Sequence, residues 1–520
     1  MSGRSNQQGS KASLPKAAAG CRSPKPFTGS GADILGVARL GLRQPAAAFH
    51  STACCGIFLL LSLLPTFLPG KDYVYDPVER FNAKSFQELC QDTAITKMDL
   101  LRAGLVDKDM PHLANLPNLV ELRIDSHRLT PTGYAVLAKL PKLQKLSVHM
   151  TSGKELDAIF GFIQDHRLEE LDLTNCRDFT GQGLERLNHK ANLRRLTLSC
   201  FRGTLNDEGL ESLQGFTGLR HLDLSQHNQI KKSIRYLENM PELETLNLYG
   251  CVGIEDRAAT QAFAKLPKLK ELNMGFCWAH KGGGLVFPKN LQNLNLIESK
   301  SLTDAAFQNF PCRDTLVEAN LYQCLPLTDK GIATFQNLPK LQKLNIGCIR
   351  ALTNQSLRYV GTNPLLTHLT LCDNDQFTDE GLQHLSNLKN LHALNLWHTK
   401  GLTGSGLQHV TSLPKLTELN LSDCHNLQGK HFQHLPKIKS LRILYLDNSL
   451  QLQDPDLAHL QNLPLAELTL SGCENLTDNA LLHLAKIQTL QYLDISNIPG
   501  LSDEGRHMIR KALPGCEIVM

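Results

Sequence analysis

The sequence predicts an α/β solenoid, a curved stack of short strands and helices, and three observations predict it. The first is a repeat of about 25 residues that runs from near residue 95 to the C-terminus. The second is that each unit carries two hydrophobic periods, one for a strand and one for a helix. The third is helix-start chemistry at the join between them.

The register can be counted. The first apolar residue of each unit falls at Ile95, Leu119, Leu143, Leu168, Leu193, Leu219, Leu243, Leu269, Leu291, Leu316, Leu341, Leu366, Leu391, Leu416, Leu441, Leu465 and Leu490. That makes seventeen units with steps between 22 and 26 residues, most of them 25. Each first half ends in strict alternation, as in Leu419-Asn420-Leu421, the mark of a half-buried strand. Each second half spaces its leucines by three, as in Leu382, Leu385 and Leu388, which predicts one apolar helical face. Thr378-Asp379, Thr328-Asp329, Thr303-Asp304, Thr477-Asp478 and Ser502-Asp503 stand just before the helical leucines. Their hydroxyls can accept an orphan backbone N–H, and the acid suits the positive helix end. Pro267, Pro339, Pro414 and Pro464 then stop the helix.

Neither half can bury its leucines alone. Stacking places the strands in one parallel sheet on the concave face and the helices on the convex face. At about 4.8 Å per strand, seventeen strands give an inner face on the order of 80 Å long.

Two signatures carry a family resemblance. One is Leu316-x-x-Ala319-x-Leu321-x-x-Cys324 followed by Leu327-Thr328-Asp329-x-Gly331-Ile332; the other is Leu465 to Cys473 followed by Leu476-Thr477-Asp478. They resemble the leucine-rich repeat of the cysteine-containing subtype, and the resemblance covers about four fifths of the chain. It implies a horseshoe solenoid that binds partners, a fold shared by the repeat domains of F-box ubiquitin-ligase adaptors and by repeat proteins of intracellular bacteria. Residues 71–94 lack the leading Leu-Pro pattern of an F-box.

Composition adds exclusions. The net charge is +4, but residues 1–51 hold seven Lys or Arg against one acid, Asp33, so the remainder sums to about −2. A repeat array with that balance does not predict a nucleic-acid partner. Cys176, Cys251, Cys277, Cys324, Cys424 and Cys473 all fall at the ninth position of their units, where Asn374 also stands. In the fold that the resemblance implies, that side chain points into the turn and hydrogen-bonds loop backbone, so the thiols are expected to be buried and inert. With no C-x-x-C pair, no zinc site is predicted. Unpaired thiols favour a reducing compartment.

The ends are read separately. Residues 1–50 are a basic segment without periodicity, expected to be disordered. Residues 51–70 carry no charge and include Ile57-Phe58-Leu59-Leu60-Leu61. Three readings stand open for them: a membrane anchor, a targeting segment of mitochondrial or secretory type, or an apolar cap on the first repeat. Residues 71–94 are a short helical cap, and residues 95–520 are the repeat domain with its own C-terminal cap.

No catalytic set is present: no G-x-x-x-x-G-K-[ST] loop, no H-E-x-x-H, no G-x-S-x-G and no dinucleotide fingerprint. Gly282-Gly283-Gly284 lies in the shortest unit and reads as an irregular convex connection. His384, His409, His434, His459 and His483 recur at one helical site and read as solvated or half-packed, not as metal ligands. No cofactor and no metal are predicted.

The inner face is the candidate site. One column reads Asn247, Asn273, Asn295, Asn320, Asn345, Thr370, Asn395 and Asn420, with Tyr445 one unit further on. The next reads Tyr249, Gly275, Ile297, Tyr322, Gly347, Cys372 and Trp397, with Phe276 and His398 beside it. Tyr249, Phe276, Tyr322, Trp397, His398 and Tyr445 are the predicted partner-binding residues, with Trp397 exposed. The sequence thus reads as a monomeric, non-enzymatic scaffold that holds a protein partner of unknown identity. The alternatives are a substrate-recognition arm of a ubiquitin-ligase complex and an organelle-membrane assembly factor.

Overall fold

A computed structural model describes residues 71–520 apart from 76–80, 126 and 280–282. The basic segment 1–50, the apolar segment 51–70 and Gly282 lie outside the described residues. Among the described residues no helix is long and apolar enough to cross a membrane.

Every one of the seventeen units forms a strand, from Ile95–Leu100 to Tyr492–Asp494. Each pairs in parallel with the strand of the next unit, and most do so leucine to leucine, as Leu394 with Leu419 and Leu419 with Leu444. Leu419 and Leu421 are buried and Asn420 is half-buried, so the alternation is realised with the leucines under the sheet. Among the described residues the opposite sheet face is uncovered, its side chains half-buried, as in Glu418–Asn420 and Ile443–Tyr445.

Two further strands bring the sheet to nineteen. Lys71–Val74 pairs with Ile95–Leu100, and Glu517–Val519 pairs with Tyr492–Asp494. The N-terminal cap is therefore a strand plus the helix Ala83–Leu89, not a helix alone. Asn82 caps that helix by accepting the Lys84 and Ser85 N–H groups, and Phe86 is its buried residue. A terminal strand satisfies the edge that the first repeat would otherwise leave bare.

The convex elements are shorter and tighter than predicted. Met110–Asn115, Ser233–Asn239, Gly429–Lys437 and Asp454–Leu460 are 3-10 helices, and Asp379–Leu382 is one α-turn that runs into the 3-10 segment Gln383–Asn387. The spacing permits the tighter form without dictating it, since Leu481 and Leu484 keep the same step on the α-helix Asp478–Leu484 and Ile487 continues it. Leucines repeated strictly every three residues eclipse on one face of a helix with three residues per turn, whereas an α-helix would rotate them away. The shortest unit has no helix among its described residues; Gly284 there offers its carbonyl to Thr260 Oγ1 at 2.8 Å.

Two ladders tie unit to unit. The ninth-position cysteines are buried and free, and each Sγ donates to a carbonyl of the preceding unit. Cys251 reaches Leu224 at 3.0 Å, Cys277 reaches Leu248 at 3.2 Å, and Cys324 reaches Leu296 at 3.1 Å; Cys176, Cys424 and Cys473 repeat the bond. Burial pushes Cys251, Cys324 and Cys424 up to about 12, so the thiols stay protonated donors. Asn374, Ser299 and His227 make the same kind of bond from the same slot.

The second ladder uses the acid at the helix start. Instead of serving only its own helix, it accepts from the cap residue of the following unit. Asp304 takes the Thr328 N–H at 2.8 Å and hydroxyl at 2.6 Å; Asp329 takes Thr353, Asp454 takes Thr477, and Asp478 takes Ser502 in the same way.

Candidate functional site

Each strand ends in the same local turn, and that turn decides which side chains face outward. At the fifth position an Asn or Asp oxygen accepts the backbone N–H two residues on. Asn247 takes Tyr249, Asn320 takes Tyr322, Asn395 takes Trp397 and Asn420 takes Ser422, all near 3 Å, and Asp172, Asp223 and Asp494 do likewise. These are Asx turns, so the column cannot be a free hydrogen-bonding ladder for a partner. Its oxygens are committed to the fold, and the Asn247 amide is committed too, donating to Asp223 Oδ2 at 2.9 Å.

The eighth position is then left-handed. Positive φ recurs at Asn175, Gln226, Gly250, Phe276, Glu298, Gln323, Cys348, Asp373, His398, Asp423, Asn448, Gly472 and Asn497. Asn, Asp, Gly and His, which tolerate the left-handed region, fill most of these positions; Phe276, with φ of 57°, is the bulkiest exception, and His398 has φ of 54°. Both are predicted site residues. Each is held by ring contacts, which for Phe276 offset a backbone preference against it.

The six predicted residues gather in separate places. Tyr249 and Phe276 pack with ring centroids 4.9 Å apart, and Phe276 continues to Trp278 at 6.4 Å. Tyr249 and Ile297 both lie over Gly275, where a Cβ would stand 3.1 Å and 2.5 Å from them. Tyr322 and Cys372 lie over Gly347 in the same manner. Large residues alternating with glycine let the rings lie down on the sheet, so all are half-buried. Burial, then Cys348, raises the Tyr322 phenol above its ordinary value.

Trp397 corrects an expectation. It is half-buried, not exposed: its Nε1 donates to Asp423 Oδ2 at 2.6 Å and its ring lies 5.2 Å from His398. His398 Nδ1 is 2.7 Å from Asp373 Oδ1, and Asn448 donates to Asp423 Oδ1 at 2.9 Å. Trp397 with Asp423 and Asn448, and His398 with Asp373, thus form two hydrogen-bonded sets joined by the ring contact and spanning four units. Tyr445 stands apart, on a different column, among carboxylates. From the Tyr249 strand to the Tyr445 strand is eight steps, roughly 40 Å along the sheet.

Several surface residues were not read from the sequence. Trp278 is 46% exposed, anchors its indole N–H on the Glu298 carbonyl at 3.1 Å and carries Lys300 5.6 Å above its ring. It sits on the loop after the strand, outside the two columns considered. Met150, Phe201 and Leu325 are exposed on similar loops. The third-position column, with Glu418, Ile443 and Glu467, was also passed over. Counting that position down the repeat, as was done for the fifth and seventh, finds it. The helical histidines His384, His409, His434, His459 and His483 are half-buried, as read.

Comparisons with known proteins agree with this geometry. Residues 217–256 match the family described as Leucine Rich repeats (2 copies), and residues 362–386 match Leucine Rich repeat. A Trypanosoma equiperdum protein named as an adenylate cyclase regulatory protein is 30% identical over 151 residues, which is 28% of this chain and 22% of that protein. The chain therefore spans about a fifth of that relative's length. Among solved structures, the TLR13–ssRNA13 complex matches at 21% identity with a TM-score of 0.44, covering 81% of this chain and 58% of its own. An internalin from Listeria monocytogenes matches at 17% identity with a TM-score of 0.35, covering 74% and 88%. The Rad7–Elc1 complex of yeast matches at 16% identity with a TM-score of 0.32, covering 86% and 88%. At these scores nothing about function transfers.

Proposed function

We propose that this chain, a leucine-rich repeat protein, is a non-enzymatic scaffold that holds a protein partner on the open face of its sheet. One observation carries the reading. Tyr249, Phe276, Tyr322 and Trp397 stand in the turns that follow four different strands of one sheet and Tyr445 stands on a fifth strand, each only half covered by the fold. Aromatic side chains already fixed by packing lose little freedom when a partner covers them. The oxygens of the Asn column fix the turns that carry these rings. Parallel pairing from strand to strand lets an extended partner touch several anchors at once.

The test uses the full chain as bait, with captured proteins read by mass spectrometry. Trp397→Ala and Tyr322→Ala are compared with Lys430→Ala, a change at an exposed residue on the helical side. Truncating a true anchor costs about 2 kcal/mol or more of binding, which is roughly thirtyfold in affinity. The same partners should therefore fall away from both aromatic variants and stay with Lys430→Ala. Unchanged capture by both aromatic variants sinks the reading.

A further inference from the structure

The open face is not electrically uniform. Toward the N-terminal end, inner carboxylates are neutralised by neighbours on adjacent strands. Arg123 pairs with Asp99 at 2.5 Å, Lys145 with Glu170 at 2.6 Å and Lys97 with Asp72 at 3.3 Å. Lys343 pairs with Glu318 at 3.5 Å near the middle. The last strands differ. Among the described residues, Glu418, Asp447, Glu467 and Asp494 have no lysine, arginine or histidine within ion-pair distance.

The strand at the centre of this patch has its own character. Ile443–Tyr445 places Ile443 between Glu418 and Glu467, and Tyr445 between Asn420 and Thr469. One strand further, Tyr492 stands beside Glu467, and Asp494 beside Thr469. An aliphatic and aromatic floor is thus walled by a carboxylate on each side, with Asp447 at its far end. Glu418 and Glu467 arise two strands apart, about 10 Å at the backbone. The acids crowd one another. Burial and then Glu467 raise Glu418, and burial raises Asp447, with Asp494 adding to it. Burial, then Glu467 and Glu418, hold the Tyr445 phenol above its ordinary value. Thr469, Ser471 and Ser422 donate to Asp447, and Ser496 to Asp494, but among the described residues no cation offsets the four charges, although ion pairs neutralise the same kind of residue elsewhere on the same face.

We propose that the strands from Glu418–Asn420 to Tyr492–Asp494 bind an extended, arginine- or lysine-rich segment of the protein partner. A long cationic side chain lays its methylenes on Ile443 and the Tyr445 ring, and its head sits between Glu418 and Glu467. Such a side chain has both parts the floor and walls call for: an apolar stem and a charged end. The ring face adds cation–π attraction. A polyanion, whether nucleic acid or acidic membrane, is repelled by four unpaired carboxylates. A metal ion would need its oxygens converged on one point, and among the described residues no group of three His, Cys, Asp or Glu is so placed. This assignment rests on the open-face reading above and names the partner's chemistry.

The test is fluorescence anisotropy of a labelled twelve-residue peptide of alternating arginine and glycine, titrated with the full chain. A peptide of alternating glutamate and glycine is the comparison. Glu418→Gln/Glu467→Gln removes the walls; Glu170→Gln/Glu318→Gln makes the same change of net charge at the two acids that are already paired. The arginine peptide should bind and the glutamate peptide should not. The first double variant should weaken binding about tenfold or more, and the second less than about twofold. A benzophenone at the centre of the peptide should crosslink to residues 418–494 of the unaltered chain, a readout that needs no variant. Absence of arginine-peptide binding, equal weakening by both double variants, or crosslinks elsewhere overturns the proposal. If partner capture still depends on Trp397 and Tyr322, the open-face reading survives that failure; if that dependence is lost too, both fall.

Discussion

Asp379→Ala should loosen the array between two neighbouring units, and its size can be worked from the bonds removed. Asp379 Oδ2 accepts the Thr403 N–H at 2.9 Å and the Thr403 hydroxyl at 2.6 Å; Oδ1 accepts the Gly404 and Gly406 N–H groups at 3.1 Å and 2.8 Å. A hydrogen bond to a charged group makes a net contribution to stability of about 1.5–3 kcal/mol when taken singly. Four on one carboxylate are not additive, and Asp379 and Thr403 are partly open to water, which replaces some of them. Gly404 and Gly406 are buried, so their N–H groups are the hardest for water to reach once the carboxylate has gone. The net cost is therefore about 3 kcal/mol. Asp379→Asn should cost less, because the chain already runs one rung that way. Asn354 accepts the Thr378 N–H at 3.0 Å and donates its amide to the Thr378 hydroxyl at 2.8 Å. The assay is urea unfolding with hydrogen exchange over residues 400–410. Burial alone would raise the Asp379 carboxyl, but the Thr403, Gly406 and Gly404 hydrogen bonds outweigh it and hold the group below its ordinary value. A lowered folded value means the contribution is complete above the unfolded carboxylate range, about pH 3.9, and is lost as pH falls through the folded value. The gap between wild type and variant should thus close only in acid. Equal urea midpoints and equal exchange for wild type and Asp379→Ala at neutral pH would refute the ladder.

Two other outcomes are expected. Glu418→Gln should raise stability at neutral pH: its folded value is raised, so its charge opposes folding above that value, and the gain should shrink as pH falls through it; a gain that grows on acidification contradicts the crowded-carboxylate account. Thiol labelling of the native chain, mapped by mass spectrometry, should modify the half-exposed Cys516 before Cys176, Cys251, Cys277, Cys324, Cys424 and Cys473, and fast labelling of most of those six defeats the inter-unit bond assigned to them.

The strand register and the buried leucines were legible because each depends only on spacing, and the inert cysteine column because spacing placed it in a slot whose role the family resemblance implies. A period of two sends Leu419 and Leu421 to one face and Asn420 to the other in any parallel stack, and a repeat that keeps step over seventeen units must stack. What spacing could not express was the partner of a polar side chain. Asn395 and its column looked like a free ladder, yet their oxygens turn back onto backbone two residues on. Asp379 looked like a helix-dipole residue, yet its ligands lie 24 to 27 residues away in the next unit. Trp397 looked exposed, yet Asp423, 26 residues on, draws its indole down. The strand Lys71–Val74 was invisible because only the bare edge of Ile95–Leu100 calls it into the sheet. Leucine periodicity by itself determined that the chain is a solenoid and which residues fill it. The tertiary structure alone decided which polar groups were left unspent for a partner, because a hydrogen bond or an ion pair is settled by what the neighbouring unit brings within about 3 Å.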